Sequence, residues 1–61
     1  NHICFEVEDI EQALDELKAK GIPLLDTVPR IGHAGSRIAF IDPAATGNCL
    51  IELAQLAADA H

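Results

Sequence analysis

The chain has 61 residues, with four Lys plus Arg against ten Asp plus Glu and a formal charge of −6. That balance excludes a nucleic-acid binder, which needs a basic face to neutralise phosphates. Two cysteines, neither in a C-x-x-C pair, exclude a disulfide scaffold or a Cys-based zinc module. No apolar run approaches the roughly 20 residues of a membrane span, and no basic segment leads into an apolar core as in a signal peptide. A domain this short buries only about 60% of the surface its unfolded chain exposes, so its stability leans on a metal or a partner.

Ile3, Phe5 and Val7 alternate at period two and predict a strand over 2–7, with His2, Cys4 and Glu6 on its other face. Asp9 is a helix N-cap, with Gln12 three residues on to complete a capping box. Ile10, Ala13, Leu14 and Leu17 form one apolar stripe at helical spacing. Acidic Glu11, Asp15 and Glu16 sit early and Lys18 and Lys20 late, which suits the helix dipole. Gly21 supplies a left-handed stop, and Ile22 can fold back on Leu17.

Residues 23–28, bracketed by Pro23 and Pro29, predict a short edge strand. Residues 30–36 read as a glycine-bearing loop, and Arg37-Ile38-Ala39-Phe40-Ile41 as a strand halted by the Asp42-Pro43 turn. Thr46-Gly47-Asn48 turns the chain into a last strand over 49–54, broken only by Glu52. The order β-α-β-β-β predicts an α+β fold: one βαβββ module over 1–55 and an alanine-rich tail over 56–61. One helix covers one face of a four-stranded sheet and leaves the other for solvent or a second module.

His2 and Glu52 each interrupt an apolar strand. If the first and last strands are neighbours, imidazole and carboxylate converge on the uncovered face, a donor set suited to a borderline divalent cation. The alternative is a solvated histidine and a solvent-facing glutamate. Cys4 and Cys49 read as small core or sheet residues. Glu6 and Glu8 read as solvated charges, and His33 and His61 as exposed. Residues 32–36, flanked by Arg30 and Arg37, fit either an ordinary hairpin loop or a set of amides and charge for a phosphate.

The run His2-Ile3-Cys4-Phe5-Glu6-Val7, with Asp9-Ile10, Ala13-Leu14 and Leu17-Lys18-Ala19-Lys20-Gly21, resembles the second module of methylmalonyl-CoA epimerases. So do Pro29-Arg30-Ile31-Gly32, Arg37-Ile38-Ala39-Phe40, Asp42-Pro43 and Thr46-Gly47 leading to Leu50-Ile51-Glu52-Leu53. These enzymes belong to the vicinal-oxygen-chelate (glyoxalase/bleomycin-resistance/dioxygenase) superfamily, whose paired βαβββ modules enclose a metal. The resemblance implies that His2 and Glu52 are metal ligands, for Co, Zn, Mn or Ni. The remaining ligands and the acid–base residues would then lie on a module outside this chain.

It further implies an isomerase that racemises the carbon α to an acyl-CoA thioester through a metal-stabilised enolate. Metal affinity would fall in acid, because a neutral His2 and an ionised Glu52 are needed. Asp42 stands where the family more often has His, and Asn48 where it has Gly. The chain opens inside a strand without Met, so an N-terminal module is expected upstream; a second copy in a homodimer is the alternative source of ligands. Without either, the chain is expected to be inactive. The expected location is cytoplasmic, or the mitochondrial matrix in a eukaryote. A glyoxalase, a ring-cleaving dioxygenase and a non-catalytic ligand-binding module stay open as rivals.

Overall fold

The computed structural model describes residues 2–58, and Asn1 and the last three residues, His61 among them, lie outside it. Strand β1 (His2–Glu6) leads through an Asp9 N-cap into helix α1 (Ile10–Ala19). Three further strands follow: β2 (Arg30–Ile31), β3 (Arg37–Ile41) and β4 (Leu50–Gln55). They form one sheet in the order β1-β4-β3-β2. The outer pairs differ in sense, β1 running parallel to β4 while β3 is antiparallel to both neighbours. This is the α+β βαβββ module expected from the sequence. Among the described residues, no helix is long and apolar enough to cross a membrane.

The helix forms where its local signals place it. Asp9 Oδ1 accepts from the Gln12 amide at 3.1 Å, which satisfies one of the orphan N–H groups of the first turn. At the other end Gly21 takes a φ of 74°. The Ile22 amide then reaches the Leu17 carbonyl and the Gly21 amide that of Lys18, both at 3.0 Å, closing a Schellman cap. The apolar stripe packs on the sheet, with Ile10 and Leu14 at 0% and 1% exposure beside Ala39 and Leu53. Each of the two large side chains contributes about 1.5–3 kcal/mol by leaving water. Gln55 fastens the helix start, its Oε1 accepting from the Ile10 amide at 2.9 Å.

The strand expected over 23–28 does not form. Leu24 makes a single antiparallel bridge with Ile41, the Leu25 and Asp26 amides both donate to the Phe40 carbonyl, and strand pairing resumes at Arg30–Ile31 opposite Arg37 and Ile38. Pro23 has no amide to give a ladder. Asp26 then claims the Phe40 amide with its side chain at 2.9 Å, where backbone pairing would have needed it. The edge position inferred from the prolines does hold, since β2 ends the sheet. The last strand runs one residue later than expected, because the Cys49 amide donates to the Thr46 carbonyl and belongs to the turn.

Of the residues expected to pack on the helix from the first strand, only Val7 does so. Ile3 and Phe5 point to the helix side but stay 46% and 52% exposed. The reason is placement: the helix packs over β3 and β4 rather than over β1. A hollow of about 280 Å³ lined by Phe5, Val7, Leu17, Ile41 and Ile51 marks the shortfall. The loop after β2 settles as a hairpin connection, its Gly32 amide donating to the Ser36 carbonyl at 2.7 Å. Arg30 and Arg37 flank that loop but turn to other partners, Asp26 and Glu11. Asn48 adopts a φ of 69°, a left-handed conformation that Asn tolerates better than most residues, so it stands in for Gly without distortion.

Candidate metal centre on the open face

The parallel pairing of β1 with β4 sets Cys4 opposite Glu52 and His2 opposite Leu50. Period-two alternation then puts His2, Cys4, Glu6, Leu50, Glu52 and Ala54 on the face away from the helix. His2 Nε2 and Glu52 Oε1 meet there at 2.7 Å. The two residues are 50 positions apart in sequence, so tertiary pairing alone joins them. The His2 side chain is 49% exposed and that of Glu52 only 16%, leaving the imidazole as the accessible half of the pair.

Phe40 forms one wall of the site. It lies opposite Glu52 across the β3–β4 pairing, and its ring centroid stands 5.7 Å from that of His2 at a tilt of 44°. Arg30 follows on the same face, its guanidinium carbon 5.5 Å from the Phe40 centroid. Phe40 was not among the expected site residues, and Arg30 was expected only as charge flanking the 32–36 loop. The alternation of Ile38 and Phe40 against Ala39 and Ile41 was legible, but the sequence did not say which set faced the helix.

Cys4 is exposed on β1 rather than packed in a core, and Cys49 is half-buried; both are free thiols. Crowding by its surroundings first, then the negative charges of Glu52 and Glu6, push the Cys4 thiol above its ordinary value. Each effect disfavours the thiolate. His33 is exposed on the hairpin loop, and Glu6 and Glu8 are exposed near the end of β1.

The donor set fits a divalent ion in part. Two ligand atoms about 2.1 Å from one tetrahedral or octahedral ion lie roughly 3.0–3.4 Å apart, so a pair at 2.7 Å needs only a small rotamer adjustment to become adjacent ligands. In the bare site the contact is a hydrogen bond, N–H to carboxylate, and an ion would replace the shared proton. Among the described residues no group of three or more His, Cys, Asp or Glu is placed to hold an ion. The pair supplies two potential ligand atoms and opens toward the uncovered face.

A one-helix βαβββ unit with an imidazole–carboxylate pair on its uncovered face is a single α+β module of the kind that pairs with a second. Residues 1–40 match the family model for the Glyoxalase/Bleomycin resistance protein/Dioxygenase superfamily, and the chain belongs to that superfamily. It is 44% identical over 57 residues to the ethylmalonyl-CoA/methylmalonyl-CoA epimerase of Cereibacter sphaeroides, which covers 92% of this chain and 42% of that protein. Against the mitochondrial methylmalonyl-CoA epimerase of Dictyostelium discoideum the identity is 38%, over 87% of this chain and 32% of that one.

Solved structures agree. A single-site variant of Streptomyces coelicolor methylmalonyl-CoA epimerase, in complex with 2-nitronate-propionyl-CoA, superposes with a TM-score of 0.89 at 36% identity over 95% of this chain and 40% of that one. The Mycobacterium tuberculosis methylmalonyl-CoA epimerase gives a TM-score of 0.85 at 37% identity, over 88% of this chain and 36% of that one. The chain thus spans about two fifths or less of the relatives it matches.

Proposed function

We propose that this chain is the C-terminal half of an isomerase resembling methylmalonyl-CoA epimerase, acting on an acyl-CoA thioester. The observation that carries the reading is the His2–Glu52 pair, assembled on the uncovered face of a fold shared with proteins of that name. His2 and Glu52 hold a divalent ion (Co, Zn, Mn or Ni) by one imidazole nitrogen and one carboxylate oxygen. An ion held there would supply Lewis-acid stabilisation of the negative charge that develops when a thioester loses its α proton.

The residues around the pair shape what reaches it. Phe40 shields one side of the imidazole and fixes its approach. Leu50 and Ala54, on the same face of β4, line the floor with apolar surface that excludes water. A second βαβββ module, in the same polypeptide or from another copy as a homodimer, closes the cup and brings the missing ligands and the acid–base pair. This fits the share of the relatives that the chain spans. Alone, the chain binds metal weakly and does not turn over. A cytoplasmic or, in a eukaryote, mitochondrial-matrix location follows from the same reading.

Metal titration of the wild-type chain against His2→Ala and Glu52→Ala tests the proposal, with Co²⁺ and Zn²⁺ followed by calorimetry. Each substitution is expected to weaken uptake by at least tenfold. If neither does, the metal-enzyme reading fails.

A further inference from the structure

Four lysines and arginines serve the whole chain, against a net charge of −6. Three of them belong to the helix side. Lys18 pairs with Asp15 at 3.8 Å, Lys20 closes the helix C-terminus, and Arg37 reaches Glu11. Arg30 is the fourth, and the only one on the open face. Its place opposite Ile38, two residues before Phe40, puts it on the side that carries His2 and Glu52.

Arg30 is held as a presented group. Its guanidinium lies over the Phe40 ring, and Phe40 also touches His2, so one aromatic ring stands between the cation and the metal pair. Asp26 steadies it from behind: Oδ2 accepts from the Phe40 amide at 2.9 Å, and Oδ1 sits 3.4 Å from Arg30 Nε. That carboxylate is mostly buried, with its side chain 18% exposed, whereas the Arg30 side chain is 61% exposed. Among the described residues no protein acceptor takes a hydrogen bond from the terminal nitrogens. A planar fork, stacked, anchored at Nε and open at its tip is matched to a two-oxygen anion.

We propose that Arg30 is the specificity-determining residue that binds an anionic oxygen group, carboxylate or phosphate, of the thioester ligand held at the His2–Glu52 pair. This rests on the thioester reading above. A chain of net charge −6 repels an anionic ligand unless a local cation reverses the field at the site. Arg30 is the group placed to do so, and Phe40 fixes its distance from the metal pair.

The test uses the full chain, metal-free, with three probes: methylmalonyl-pantetheine, propionyl-pantetheine and free coenzyme A. Dissociation constants are measured for wild type, Arg30→Gln, which keeps part of the stem, and Arg30→Lys. Arg30→Gln is expected to weaken binding of methylmalonyl-pantetheine, coenzyme A or both by about tenfold, and Arg30→Lys by less. Propionyl-pantetheine, which lacks both anions, should be unaffected. Loss confined to the first probe identifies the acyl carboxylate as the ligand group, and loss confined to coenzyme A identifies a phosphate.

The proposal is overturned if Arg30→Gln binds all three probes as wild type does. It is equally overturned if wild type holds the anionic probes no more tightly than propionyl-pantetheine. Because the measurement needs no metal, metal uptake that ignores His2 and Glu52 would sink the epimerase reading while leaving an Arg30-dependent anion site standing.

Discussion

The two faces of the sheet are built on opposite terms. On the helix side, Ile10, Leu14, Ala39 and Leu53 form a small dry cluster, and it carries the stability of the module. On the open side, His2, Cys4, Glu52, Phe40 and Arg30 lie half-exposed around one hydrogen-bonded pair, and they contribute little to holding the chain together. The comparison teaches that in so short a domain the open face can be polar because the helix face does most of the burying. It also shows where the module is unfinished. Ile3 and Phe5 on the helix side of the edge strand, and the exposed His2 imidazole on the other, both lie on β1.

Substitutions that separate the faces should have graded effects. Leu14→Ala is expected to be the most damaging, at about 2–5 kcal/mol, since the site is 1% exposed and its neighbours cannot collapse far. In a domain this small that loss should abolish the cooperative transition in urea, followed by circular dichroism. A mild shift would mean that the helix side is not the stabilising face.

On the open side, Glu52→Ala and His2→Ala should each lower divalent-metal affinity by tenfold to about a hundredfold. Their effect on the urea midpoint should correspond to less than about 1 kcal/mol, because the imidazole half of the pair is half exposed. A large loss of stability in either variant would erase the distinction between the faces.

The helix ends offer a finer test. Gly21→Ala forces a side chain into a φ of 74° and should cost about 1–2 kcal/mol, although the added methyl would meet nothing within 4 Å. Asp9→Ala removes the cap on Gln12 and should cost about 1 kcal/mol. Both are read as shifts in melting temperature, with metal affinity unchanged. The smallest effect concerns Cys4. Its raised thiol should react with iodoacetamide more slowly than a free cysteine at pH 8, because less of it is thiolate. Glu52→Gln removes one of the charges responsible and should speed the reaction a few-fold, as peptide mass spectrometry would show.

Much of the fold was legible from residues that act locally. Asp9 and Gly21 bounded the helix because a cap and a left-handed stop depend on a few adjacent residues. The alternation through Ile3, Phe5 and Val7 and the lone Glu52 in an apolar strand were enough to name His2 and Glu52 as a pair. The second strand was misplaced for the converse reason. Leu24, Leu25 and Val28 look strand-like in isolation, yet pairing was decided by what β3 could accept, and Asp26 took the Phe40 amide. Phe40 was missed, and Arg30 was assigned to the 32–36 loop alone, because nothing in the sequence fixes the β2–β3–β4 register that brings them near His2.

The sequence by itself determined the helix, the first, third and last strands and the two residues that break the strand pattern, because periodicity and capping are short-range. Only the tertiary structure decided that β1 lies parallel against β4, that His2 and Glu52 close to 2.7 Å, and that Phe40 and Arg30 join them. Those contacts depend on hydrogen-bond register between strands up to 50 residues apart, which local sequence does not encode.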